Sequence, residues 1–207
     1  MLARKLGHVL SGLHAEGVVH RGVHPDNVVI GRGPDEDANN HDLAPSDAEY
    51  DERLDVVELA PLARPTSEVG SPSAMGYLSP EAVLGFTPDT KVDCWAFAVL
   101  LFRCIYGRMP FRAATTEELL SALERPVVVP AAFSVEADLL LCSFFERCFA
   151  HRSSARLTSA RTIAETFAAL LDEVRLISSD ELPLTFHVRQ GGPSPFVVVA
   201  VKSAASR

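Results

Sequence analysis

His20-Arg21-Gly22-Val23-His24-Pro25-Asp26-Asn27 is the stretch on which the reading of this chain turns. Two short β-branched runs flank it, Val18-Val19 before and Val28-Val29-Ile30 after, and Gly31 and Gly33 then signal a turn. Upstream, Leu2, Leu6, Val9, Leu10 and Leu13 recur at helical spacing, which predicts an amphipathic helix over residues 2–15. Gly17 is placed to end it. The run is therefore a loop that a helix feeds into and a strand leaves.

Charge is unevenly spread around this core. The chain has 207 residues, 47% of them hydrophobic, with a net charge of -8. That size and composition suit a globular fold with a real core. Residues 34–55 hold nine acids (Asp35, Glu36, Asp37, Asp42, Asp47, Glu49, Asp51, Glu52 and Asp55) against one base, Arg53, and so account for the whole -8. The stretch has no apolar period and reads as a solvated insertion spanning 33–53. It also fits a docking segment for a basic partner. The balance elsewhere gives no basic face for nucleic acid.

Leu54 to Leu59 is a strand candidate, and Pro61, Pro65, Gly70, Pro72 and Gly76 mark a long irregular segment. Beyond Pro80 the pattern turns helical. Residues 92–106, VDCWAFAVLLFRCIY, are apolar nearly all round, which predicts a helix buried on every side and closed by Gly107 and Pro110. Further helices are predicted at 116–123 with Thr116 as cap, at 134–149, and at 158–176 from Thr158 or Ser159. After Asp180, Leu184–Val188 and Phe196–Val201 read as two strands around a Gly-Gly-Pro-Ser-Pro turn, a possible hairpin within a C-terminal extension over 178–207. Phe196–Val201, the longest apolar stretch near the C-terminus, is far too short to cross a bilayer, so no membrane association is expected. Cys94, Cys104, Cys142 and Cys148 lack metal-ligand spacing and read as buried, reduced thiols in helices. Arg4, Lys5 and His8, with no acid before Glu16, fit a presequence as well as they fit the first helix; the expected compartment is cytoplasmic.

The opening run resembles the catalytic loop of eukaryotic-type protein kinases, H-R-D-x-K-P-x-N, with Gly22 at the Asp and His24 at the Lys. Four further stretches resemble that family in the right order. Tyr77-Leu78-Ser79-Pro80-Glu81 is similar to its A-P-E motif, and Asp93-Cys94-Trp95-Ala96-Phe97 to its D-x-W-S-x-G. Gly107-Arg108-Met109-Pro110-Phe111 is similar to G-x-x-P-F. Cys148-Phe149-Ala150-His151 through Arg156-Leu157-Thr158 is similar to C-L-x-x-D-P-x-x-R-P-T. The resemblance runs from about residue 2 to about 175. It implies a mainly α fold over 1–177, the helical C-terminal lobe of a protein kinase with short β-hairpins.

The resemblance also assigns roles. Glu81 would pair with Arg156, Asp93 would accept hydrogen bonds from the His20-Arg21 backbone, and His20, Leu59 and Asp93 would stack as a spine; Trp95 is a further structural residue. These residues hold the scaffold. The catalytic set is not intact: His20, Arg21, Gly22, His24 and Asn27 form a degenerate loop. Gly22 cannot accept a proton, and His24 replaces a fixed cation with a ring mostly neutral near pH 7. Val57-Glu58-Leu59-Ala60 stands where x-D-F-G belongs, so Glu58 and Asn27 are the remaining metal ligands, Glu58 displaced by one methylene. Ala60, Ala74 and Ala98 replace family residues. Thr66, Ser67, Ser71 and Ser73 fall in the activation segment, where Arg21 would meet a phosphate.

The family's small N-terminal lobe, with its Gly-rich loop, strand Lys and partner Glu, has no counterpart upstream of His20, and the N-terminal lobe is expected to be absent. The resulting expectation is a pseudokinase serving as scaffold or allosteric partner, with no cofactor of its own and with ATP and magnesium bound only through residual family affinity. Its expected partner is a protein, another kinase or a missing lobe segment. The alternative is a truncated or atypical Ser/Thr kinase that binds ATP and phosphorylates protein.

Overall fold

The structure, a computed structural model, describes residues 2–31, 56–59, 75–177, 185–188 and 197–200. It is mainly helical. Helix α1 runs Leu2–Ala15, and a short 3-10 turn, Pro25–Asn27, precedes strand β1, Val28–Gly31. Strand β2, Val56–Leu59, pairs antiparallel with β1, Val28 opposite Leu59 and Gly31 opposite Val56. Then come α2 (Pro80–Val83), α3 (Thr90–Tyr106), α4 (Thr116–Leu123), α5 (Val135–Cys148) and α6 (Ala160–Ile177). Strands β3 (Thr185–Val188) and β4 (Val197–Ala200) form a second antiparallel pair. No helix among the described residues is long and apolar enough to cross a membrane.

Helix α3 is the axis. Every residue from Val92 to Phe102 is buried, and Ile105 joins them. Helices α1, α5 and α6 surround it. Burying one Leu, Ile or Phe side chain of this kind is worth about 1.5–3 kcal/mol, so the apolar sequence of α3 is what draws the other helices in. Asp89 caps its start by accepting the Lys91 N–H (2.9 Å), and Gly107, at φ 63°, ends it in the left-handed conformation. An aromatic cluster fills one side: Trp95 stacks on Phe111, while Phe102 meets both Phe145 and Phe149 edge to face.

Several sequence expectations shift. Val18-Val19 is not a strand; no described strand lies beside it, and Val18 is exposed. Helix α4 is capped by Thr115 rather than Thr116, its hydroxyl accepting the Glu118 N–H. Helix α6 begins at Ala160, with Ser159 as the cap. All four cysteines are free thiols on helices, but only Cys94 and Cys148 are fully buried; Cys104 and Cys142 are half-buried. The acidic run 33–53, Ala60, the hydroxyls from Thr66 to Ser73, Ala74 and the Gly-Gly-Pro-Ser-Pro turn lie outside the described residues.

Helix α1 approaches α6 closely because Gly7 carries no side chain. A Cβ there would overlap the Ala164 Cβ and come within 3.0 Å of the Ala160 carbonyl. Gly12, on the same helix, has open space. Two alanine substitutions should therefore differ in sign. Gly12→Ala should stabilise by about 1 kcal/mol through helix preference alone. Gly7→Ala should destabilise, its overpacking penalty of about 1–3 kcal/mol outweighing that gain. Urea midpoints of the two variants check this.

Candidate functional site

The site is built on the loop between α1 and β1, and its frame hangs on one carboxylate. Asp93 is 1% exposed in the first turn of α3. Its Oδ2 accepts the His20 N–H at 2.7 Å and its Oδ1 accepts the Arg21 N–H at 2.7 Å. His14, from the last turn of α1, brings Nε2 to 3.0 Å of Oδ2. A buried carboxylate must be hydrogen-bonded, and meeting that need joins α1, the loop and α3 at one point. It also holds Arg21 at φ 63°, the only non-glycine with positive φ among the described residues.

Beyond Arg21 the loop folds back on itself. The Gly22 N–H donates to His20 Nδ1 (3.2 Å), and Asn27 Nδ2 donates to the Gly22 carbonyl (2.7 Å). Val23 is buried beneath. Gly22 does not occupy a positive φ, so no backbone strain demands a glycine there. A Cβ at this position would lie 3.1 Å from Asn27 Nδ2 and 3.6 Å from the His20 ring. A larger residue fits once Asn27 yields by a few tenths of an ångström.

His24 turns inward, its side chain 13% exposed, and sets its ring edge-on to Tyr77 with centroids 4.7 Å apart. Its Nδ1 lies 3.3 Å from both the Asp26 N–H and Asp26 Oδ2. The neutral ring takes the N–H and the protonated ring takes the carboxylate. Tyr77 passes the contact on: its hydroxyl accepts from Arg103 Nη1 at 2.9 Å. Burial pushes the Tyr77 phenol above its usual range, and Arg103 partly opposes this.

A second fastening lies below. Arg156 Nη1 donates to Glu81 Oε1 (2.7 Å) and Oε2 (2.9 Å). Its Nε reaches the Ala150 carbonyl at 2.6 Å and Nη2 the His151 carbonyl at 3.1 Å. The guanidinium also sits over the Trp95 ring, 4.7 Å from its centroid. This one planar cation ties α2 and the α5–α6 connector to α3.

Glu58 lies on β2 opposite Val29; its side chain is outside the described part. Leu59 packs half-buried on the core, and His20 is buried. For a nucleotide with magnesium, the loop offers Asn27 Oδ1, because Asn27 Nδ2 is committed to Gly22, and the half-exposed Asp26 carboxylate. Among the described residues no three His, Cys, Asp or Glu side chains converge on a metal position. Magnesium takes an octahedral oxygen shell, and the described residues alone do not complete one.

Three contacts have no counterpart in the sequence reading: His14 on Asp93, Arg103 on Tyr77, and Arg156 on the Trp95 face. A signal exists for the first, since Leu6, Leu10 and His14 recur every fourth residue on the buried side of α1. The other two join residues that no local pattern links.

Removing Glu81 should strand a buried cation. Glu81→Ala should cost about 2–4 kcal/mol, near the low end for buried pairs because Glu81 keeps 22% exposure. Arg156→Lys should cost a similar amount, since an ammonium cannot serve the fork, both carbonyls and the ring together. Denaturant unfolding measures both. A separate effect concerns alkali. Burial, with the Asp93 and then Asp89 carboxylates adding, pushes the Cys94 thiol up from its ordinary 9.0 to about 12. The folded state therefore holds the proton longer than the unfolded chain. The stability this contributes is complete below pH 9.0 and is lost as pH rises through about 12. Urea midpoints should fall between pH 8.5 and 11, and Cys94→Ala should flatten part of that slope.

The protein kinase domain family model matches residues 1–168. The serine/threonine-protein kinase pkn2 of Myxococcus xanthus is 30% identical over 173 residues, covering 81% of this chain and 20% of that protein. The serine/threonine-protein kinase PkaB of Streptomyces coelicolor is 30% identical over 156 residues, 75% of this chain and 35% of its own. Aurora kinase A-B of Xenopus laevis is 27% identical over 150 residues, 72% and 33% respectively. The chain thus spans about a fifth to a third of the length of these relatives. With the match extending over most of its residues, this chain belongs to the protein kinase domain family.

Proposed function

We propose that this chain is a catalytically impaired protein kinase-like domain, a pseudokinase that acts as a scaffold or allosteric partner of another protein. The observation that carries the reading is Gly22, a residue without a side chain at the centre of a loop whose backbone frame is complete. Phosphoryl transfer is mainly positioning and charge neutralisation. A residue that orients the acceptor hydroxyl and takes its proton contributes about 10²- to 10⁴-fold, and glycine contributes nothing of that kind. His24 adds to the argument, since its ring is tucked against Tyr77 and carries no fixed charge. The described helices, with the β1–β2 pair, correspond to the C-terminal lobe of the family, which supplies the lower half of a nucleotide site. A protein partner suits such a domain, because its remaining asset is a stable surface.

The rival reading is an atypical or truncated Ser/Thr kinase with ATP binding. Asp26 favours it: a half-exposed carboxylate in the loop, 3.3 Å from His24 Nδ1, and so a candidate to replace the lost base. The names of the relatives, serine/threonine-protein kinases, point the same way.

Transfer of labelled phosphate from magnesium-ATP to a Ser/Thr peptide tests the two. The expected rate for the 207-residue chain is at least about 100-fold below the about 1–100 s⁻¹ of working kinases. Millimolar magnesium-ATP should leave its melting temperature unchanged, since a ligand that bound the fold would raise it by mass action. Turnover within the normal range, lost in Asp26→Asn, would sink the pseudokinase reading in favour of its rival.

A further inference from the structure

The near-cancellation of charge outside residues 34–55 hides a local segregation. From Arg147 to Ala164 the chain carries Arg147, His151, Arg152, Arg156 and Arg161 and not one acid. These residues end α5, form the connector and open α6, and the Leu157 N–H holds the two sides together by donating to the Arg147 carbonyl at 3.2 Å. Arg156 points inward and is matched by Glu81. Arg147, His151, Arg152 and Arg161 are exposed. None of these four makes a salt bridge or side-chain hydrogen bond to any described residue, including Glu165, one turn on from Arg161. Glu146, beside Arg147, takes the Cys142 thiol instead.

Fold stability does not account for this arrangement. Arg161 stands in the first turn of α6, at the positive end of the helix dipole, where an acid is favoured and none is present. Three exposed guanidinium groups with no carboxylate partner among the described residues make a local positive field on a chain of net charge -8, which suits a negative partner. A long polyanion is a poor candidate, because its charge would extend past the patch onto a surface where acids and bases otherwise cancel. A short acidic peptide is matched in size. The chain carries one in its own sequence, residues 34–55, with nine acids and one base.

We propose that the α5–α6 connector is a docking surface for the acidic run 34–55 of a second copy of this chain, so that copies associate through charge complementarity. Arg147, Arg152 and Arg161 provide planar, permanently charged forks for carboxylates, and His151 adds a fourth positive group on protonation. The proposal is independent of whether the loop at Gly22 transfers phosphate.

A fluorescent peptide of residues 34–55 is titrated with the 207-residue chain, alongside sedimentation velocity of the chain alone. Both are run as salt rises from about 0.01 M to about 0.15 M, shortening the Debye length from about 30 Å to about 8 Å. The peptide should bind at low salt and weaken at least about tenfold over that range. Arg152→Glu with Arg161→Glu should abolish peptide binding and leave the chain monomeric, with the helical circular dichroism unchanged. Both side chains are exposed, so folding should survive; Lys at both positions should retain binding. The proposal is overturned if the peptide fails to bind, if charge reversal leaves its binding intact, or if the chain is monomeric at every concentration and salt, as docking within one copy would make it. Tighter capture of anionic vesicles or polynucleotide than of the peptide also overturns it.

Discussion

A carboxylate buried at the start of a buried helix sets the terms for this structure. Asp93 is almost wholly buried, and its charge is tolerable only because three donors converge on it. Those donors come from α1 and from the backbone that leads to Gly22. The loop is therefore part of the carboxylate's solvation rather than an appendage of the fold. These bonds fix His20 and the left-handed Arg21, and the Asn27 side chain, donating to the Gly22 carbonyl, holds the turn that follows.

Arg156 does the same work over Trp95, two positions along α3 from Asp93, with the opposite charge. It is surrounded by Glu81, two carbonyls and the Trp95 face, so that each part of the guanidinium has a partner. The two fastenings explain how the family's scaffold persists with Gly22 and His24 in the loop. Neither involves the side chains at positions 22 or 24, so replacing an Asp by Gly and a Lys by His leaves both intact. Fold and activity are separable here because they draw on different atoms of the same loop: backbone N–H groups for the one, side-chain groups for the other.

The charge distribution adds a second division of labour. The interior matches its ions almost completely, with His14 and Asp93, and Glu81 and Arg156, in contact. Among the described residues, exposed basic side chains without an acidic partner collect on the α5–α6 connector. Burial forces pairing of the first kind, whereas water can solvate the second.

What the sequence determined by itself was local. The 3.6-residue period of α1 and the uninterrupted apolar run of α3 specify helices because burial of those side chains needs no knowledge of what they pack against. The motif order around Gly22, Glu81, Asp93 and Arg156 was equally legible, and with it the glycine at position 22. Capping was less so, since Thr115 and Thr116 offer the same hydroxyl and only the backbone conformation chooses between them. Tertiary structure alone decided the contacts that join distant segments: His14 to Asp93, 79 positions apart, and Arg103 to Tyr77, 26 apart. It also decided which arginines turn inward and which remain in solvent. A side chain's partner across such distances depends on how helices pack, and packing is a property of the assembled core that no window of sequence contains.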